Sequence, residues 1–165
     1  MSDVHSIIAK LNNDFGSGII SADISGDIPC ITVRVSALYK VIEFLKDDSE
    51  CGFIFLTDLC GIHWPDNELQ LGVIYHLHNL KENIRIRVKT FVPLAKPEVE
   101  TVTPLFQSAN WMERETYDFY GIIFTGHPNL KRILNVEYLD FFPMRKEIPL
   151  EDPTREDKDN RFFGR

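Results

Sequence analysis

From Ile84 to Val92 the chain alternates: Ile84, Ile86, Val88 and Thr90 fall on one side of an extended backbone, and Arg85, Arg87, Lys89 and Phe91 fall on the other. Such a stretch demands a sheet with one dry face and one wet face, and the dry face must be covered. Covering elements are present in the same sequence. Val4, Ile7, Ile8 and Leu11 recur at helical spacing, with Ser2 or Asp3 placed to cap them. Leu38, Val41, Ile42 and Leu45 make the stripe of a second helix, capped by Ser36 and ended by Lys46-Asp47-Asp48-Ser49. Further strands are expected over 19–24, 30–35, 52–59 and 69–80, and a loop over 95–98. A third helix is expected from Thr103 to Tyr120, with Pro104 in its first turn and Gly121 at its end, before a short strand at 122–124. The order predicts an α+β fold: a two-layer domain with a mixed or antiparallel sheet of about five strands and helices on one face, plus an extended C-terminal segment. The expected division is a domain over 1–125 and a partner-contacting segment over 126–165.

Charge and cysteine content narrow the function. Eighteen Lys and Arg against 25 Asp and Glu leave a net charge of −7, which repels phosphate backbones and argues against a nucleic-acid partner. Cys30, Cys51 and Cys60 form no C-x-x-C pair and make an odd set, so neither a disulfide framework nor a thiolate metal cage is expected. The N-terminus carries no secretory or transit pattern and no window is apolar enough to span a bilayer, so membrane association is expected only through a partner. Between 143 and 165, six basic residues (Arg145, Lys146, Arg155, Lys158, Arg161, Arg165) offset six acidic ones, and the stretch cannot build a core alone. Arg145 and Arg155 are candidates for bidentate carboxylate contacts, and Phe162-Phe163 for an apolar anchor.

The densest chemistry lies in Trp111-Met112-Glu113-Arg114-Glu115-Thr116-Tyr117-Asp118. On a helix Arg114 and Asp118 share a face and Glu115 lies three before Asp118, so Arg114 is expected to be held by Glu115, Asp118 or a partner's carboxylate. A metal-dependent hydrolase using Glu113, Glu115, Asp118 and His127 is the competing reading, and ion pairs outside with Trp111, Met112, Phe119 and Tyr120 inside is the favoured one. His76 and His78 project to one face of a strand, a spacing open to metal but more in keeping with surface or partner contact. His63-Trp64-Pro65-Asp66 reads better as a plug at the end of the sheet than as a pocket lining. Phosphate-cradling glycine motifs and a nucleophile elbow are absent.

Those residues also carry a resemblance. Trp111-Met112-Glu113-Arg114-Glu115, Tyr117-Asp118, Gly121-Ile122 and the run Phe124-Thr125-Gly126-His127-Pro128-Asn129-Leu130-Lys131-Arg132-Ile133-Leu134 resemble the signature of the C-subunit family of respiratory complex I, the proton-pumping NADH:quinone oxidoreductase. Phe55–Leu59, Val73–Leu77 and Pro143-Met144-Arg145-Lys146 are similar to further parts of that family, over about residues 53–149. Glu147-Ile148-Pro149 and Phe141-Phe142 depart from its usual pattern at the C-terminal turn. The resemblance implies a structural subunit of the peripheral arm that binds no cofactor itself: NADH, FMN, iron–sulfur clusters and quinone belong to the complex. It implies packing against the D-subunit near the quinone pocket, beside neighbouring peripheral-arm subunits, at the cytoplasmic side of a bacterial inner membrane. Glu113, Arg114, Glu115, Tyr117, Asp118, Gly121, His127, Pro128, Arg132, Arg145 and Lys146 become its candidate interface residues. The equivalent subunit of a membrane-bound hydrogenase or of photosynthetic complex I is the related alternative.

Overall fold

In the computed structural model residues 4–149 are described; Ser2, Asp3, Arg155, Phe162 and Phe163 lie outside them. The chain runs α1 (Val4–Phe15), a 3₁₀ turn (Gly16–Gly18), β1 (Ile19–Asp23), β2 (Cys30–Val33), α2 (Val35–Asp47), β3 (Phe55–His63), β4 (Leu71–Asn79), β5 (Ile84–Val92), β6 (Glu98–Glu100), α3 (Ala109–Tyr120) and β7 (Ile123–Thr125). Five strands form one sheet in the order β1-β2-β5-β4-β3, mixed because β2 and β5 are parallel while the other neighbours are antiparallel.

Register sorts the side chains into two faces. Ile31, Val88, Tyr75 and Leu59 sit side by side across four strands, all buried, and form one row of the dry face. The adjacent row, Cys30, Arg87, His76 and Asp58, belongs to the wet face. Ile7 and Leu11 of α1 and Leu38, Val41, Ile42 and Leu45 of α2 complete the core on the dry side, as their helical spacing requires. α3 lies over β3 at Gly61, where a side chain would meet the Tyr120 ring and, at 3.0 Å, the Thr116 methyl. Among the described residues no helix is long and apolar enough to cross a membrane.

Several boundaries differ from expectation for physical reasons. α3 begins at Ala109, six residues after Thr103, because Val102 is held in place by the Glu113 side chain and its carbonyl closes a turn onto the Leu105 and Phe106 amides. The segment after Pro97 is not wholly loop: Glu98–Glu100 pairs in parallel with β7, a partner some 25 residues away that local pattern does not reveal. Ser36 is no cap, since Arg34 occupies that position without a side-chain cap bond and anchors its Nε on the Ser17 carbonyl at 3.0 Å. β3 starts at Phe55 instead of residue 52, because Gly52, at φ 55°, belongs to the turn closing α2 and donates its N–H to the Asp48 carbonyl. The strand also runs past the expected end at residue 59, as far as His63.

Gly61→Ala drives a methyl into the α3 interface and is expected to cost about 1–3 kcal/mol in urea unfolding. Gly16→Ala, whose added carbon would meet nothing, is expected to stay within about 0.5 kcal/mol of the parent.

Candidate functional site

α3 turns Ala109, Glu113, Thr116 and Asp118 into the protein, and two of these four buried residues carry a carboxyl group. A buried carboxylate must be paired or hydrogen-bonded to persist. Asp118 is fully satisfied. Its Oδ1 accepts from Arg132 Nη1 at 2.8 Å and from Asn135 Nδ2 at 3.1 Å, and its Oδ2 accepts the successive amides of Ile133, Leu134 and Asn135 at 3.1, 2.8 and 2.8 Å. Burial pushes this carboxyl's pKa up, but the Asn135 amide, the Arg132 guanidinium and the neighbouring amides together overcome it and hold the group well below the ordinary carboxylate range.

Arg132 spends its remaining donors on carbonyls: Nη1 also reaches Asp118 O at 2.9 Å, and Nη2 reaches Leu139 O at 2.7 Å and Phe141 O at 3.1 Å. Its guanidinium lies 5.1 Å from the Phe142 ring centroid, and Arg145 lies 4.6 Å from the same ring. Arg145 further donates to the Tyr120 carbonyl at 2.8 Å, and Tyr117 meets Phe142 edge-on with centroids 6.2 Å apart. Gly121 ends α3 at φ 74°, a conformation suited to glycine, and a side chain there would strike Phe142. Residues 126–149, which hold no helix or strand, are thus fastened to the end of α3.

Arg114 makes neither of the intramolecular ion pairs its spacing suggested. It donates from Nε to Lys131 O at 3.2 Å and from Nη2 to Arg132 O at 3.1 Å, because Asp118 turns inward to Arg132 instead of outward along the helix. Glu113 sits elsewhere in the core, accepting the Val102 amide at 2.7 Å and the Thr101 hydroxyl. His127 Nε2 lies 3.9 Å from it and donates to Asn110 O at 3.1 Å, while its Nδ1 accepts the amide of Asn129, next to Pro128. Burial pushes the Glu113 carboxyl up to about 7 against the pull of Thr101 and Val102. Glu115 is exposed, so the four residues of the hydrolase reading fall into three places: Glu113 with His127, Asp118 with Arg132, and Glu115 outside.

The remaining candidates settle into structural contacts. Lys146 contributes its amide, at 2.9 Å from His63 Nδ1, with Glu147 3.4 Å from the same nitrogen. Trp64, 45% exposed, stacks on Phe91 with centroids 5.2 Å apart. His76 accepts from Arg87 Nε at 2.8 Å and faces Asp58 at 3.6 Å, whereas His78 meets Asn83 at 3.2 Å, so the two histidines do not converge. Thr101, Asn135 and Tyr75, whose buried hydroxyl has no hydrogen-bond partner among the described residues, carried no local signal in the sequence. Among the described residues no three His, Cys, Asp or Glu side chains are grouped to hold a metal ion. What this arrangement does chemically is hold two charged side chains dry and fix a long irregular segment in one conformation.

Residues 31–154 match the family model described as the respiratory-chain NADH dehydrogenase 30 kDa subunit. The chain is 44% identical over 119 residues to the NADH-quinone oxidoreductase C-subunit of Rhizobium johnstonii, covering 72% of this chain and 59% of that protein. It is 41% identical over 141 residues to the C-subunit of the same enzyme from a Methylobacterium species, covering 86% and 65%. The chain therefore spans about three fifths of the length of such relatives. Among solved structures, a trypsin-resistant fragment of Nqo5 superposes with a TM-score of 0.64 at 29% identity, covering 75% of this chain and 99% of the fragment. A chain of the archaeal membrane-bound sulfane sulfur reductase superposes with a TM-score of 0.75 at 20% identity, over 94% and 96%, a likeness of fold.

Glu113 makes stability depend on pH with a definite sign. Its carboxyl is raised from 4.5 to about 7 on folding, so its contribution is full below about pH 4.5 and is lost as pH rises to about 7. Compared with Glu113→Gln by urea unfolding, the parent is expected to lose on the order of 3 kcal/mol more across that window. Parallel pH profiles of parent and variant would refute the burial assignment.

Proposed function

Because the chain belongs to the family of the respiratory-chain NADH dehydrogenase 30 kDa subunit, we propose that it is a structural and assembly subunit in the peripheral arm of an NADH:quinone oxidoreductase. In this reading it packs against the D-subunit near the quinone site and works by positioning its neighbour. NADH, FMN, iron–sulfur clusters and quinone are held by other subunits, and electron transfer to quinone coupled to proton translocation is the work of the whole complex. The chain sits at the cytoplasmic side of a bacterial inner membrane and reaches the membrane through its partners.

The observation that supports this reading is the surface of the fastened segment. Between 134 and 144 it presents Leu134, Val136, Tyr138, Phe141 and Met144, with Tyr138 87% and Leu134 68% exposed. Large apolar side chains on a backbone this tightly fixed make a preformed docking patch: the ordering entropy is spent before the partner arrives. The Asp118–Arg132 junction beneath supplies rigidity, and the charged residues around it supply register.

Purification of the complex from detergent-solubilised membranes tests it. The chain is expected to copurify with the D-subunit, and Leu134→Glu with Tyr138→Glu is expected to lower its recovery in the complex about tenfold, equivalent to about 1.4 kcal/mol. Urea unfolding of the isolated variant should stay within about 0.5 kcal/mol of the parent. A chain that fractionates apart from the complex, or a double variant that assembles fully, contradicts the reading.

A further inference from the structure

A second surface, which shares Met144 with the exposed apolar residues of 134–144, lies where the sheet stops. β3 is the terminal strand, nine residues long and paired only with β4 among the described residues. The outer edge of such a strand offers a row of backbone N–H and C=O groups to any extended chain. Beside it, between β3 and α3, opens a cavity of about 300 Å³. Leu59, Phe119, Tyr120 and Met144 give it apolar walls, and Asp58 from β3 and Glu115 from α3 place two carboxylates at its rim. Toward the start of the strand Ile54 and Phe55 are also exposed, Phe55 on the wet face opposite His78. In an assembled protein such a surface does not stay bare.

We propose that the β3 edge receives an extended segment of a neighbouring subunit, one that carries a large apolar side chain flanked by Lys or Arg. The inference rests on the reading of the chain as part of an assembly. Each feature of the surface selects one property of the occupant. The open edge selects extended backbone. The cavity has room for one large aliphatic or aromatic side chain on the dry side, under α3. Side chains alternate along an added strand, so the residue next to that anchor lies on the wet face beside Asp58, and the residue two positions away returns to the helix side beside Glu115. Two carboxylates at these places select basic partners. A second copy of this chain is a poor occupant, since edge-to-edge pairing of β3 with itself brings like carboxylates together and joins two chains of net charge −7.

The test is photocrosslinking in the complex purified from detergent-solubilised membranes, with Phe55→p-benzoylphenylalanine as the probe and mass spectrometry to identify the attached peptide. The expected product joins this chain to one segment of another subunit that contains an apolar residue next to Lys or Arg. Asp58→Lys with Glu115→Lys, both exposed positions, is expected to lower the yield of that product about tenfold while leaving the circular dichroism of the isolated chain unchanged. Attachment to residues 150–165 of the same chain, attachment to a second copy, no product, or a yield indifferent to charge reversal would each overturn the proposal while leaving the subunit reading intact. A parent chain absent from the complex would instead overturn the subunit reading, and this inference with it.

Discussion

A carboxylate with no access to water must find every hydrogen bond it needs inside the protein, and Asp118 meets that demand with one guanidinium and three consecutive backbone amides. Those amides can converge on one oxygen only if residues 133–135 curl around it. Arg132, drawn in to neutralise the charge, then fixes the carbonyls of Leu139 and Phe141 and stacks on Phe142. Phe142 in turn is gripped from its other neighbours by Arg145 and Tyr117. A segment with no helix, no strand and little core of its own acquires a single conformation because one buried charge requires it.

This division of labour runs through the molecule. The sheet and its helices bury apolar surface and supply the cooperative stability, while the interactions ordering 126–149 are polar and directional. Hydrophobic burial alone cannot fix an irregular segment, because it is indifferent to direction; forked donors on aimed carbonyls can. Glu113 repeats the device on a smaller scale at the other end of α3, capturing Thr101 and Val102 so that the chain leaving β6 turns into the helix at the right place.

Elements set by periodicity were legible in the sequence: the stripe of α2, the alternation of β5 and the glycine that ends α3 all form where the pattern put them. What was hidden depends on pairing across distance. The spacing of Arg114 and Asp118 suggested a surface ion pair, yet a helix face says nothing of which side is buried against a segment that has no periodicity. The partner of Asp118 lies fourteen residues on, and its charge is met as much by amides, which every residue possesses, as by a side chain. β6 escaped notice for the same reason, since three residues paired in parallel carry no pattern of their own. Resemblance singled out Arg132 by position, and Arg145, read as a donor to carboxylates, instead meets the Tyr120 carbonyl; only the fold gives them these contacts.

Asp118 orders the irregular segment after β7 independently of the sheet. Hydrogen exchange by mass spectrometry on the isolated chain, comparing the parent with Asp118→Asn, tests it most directly. Protection is predicted to fall steeply at the amides of Ile133, Leu134 and Asn135 and across the following turns, while β4 and β5 keep theirs. Equal loss in the sheet, or unchanged protection at 133–135, would contradict it.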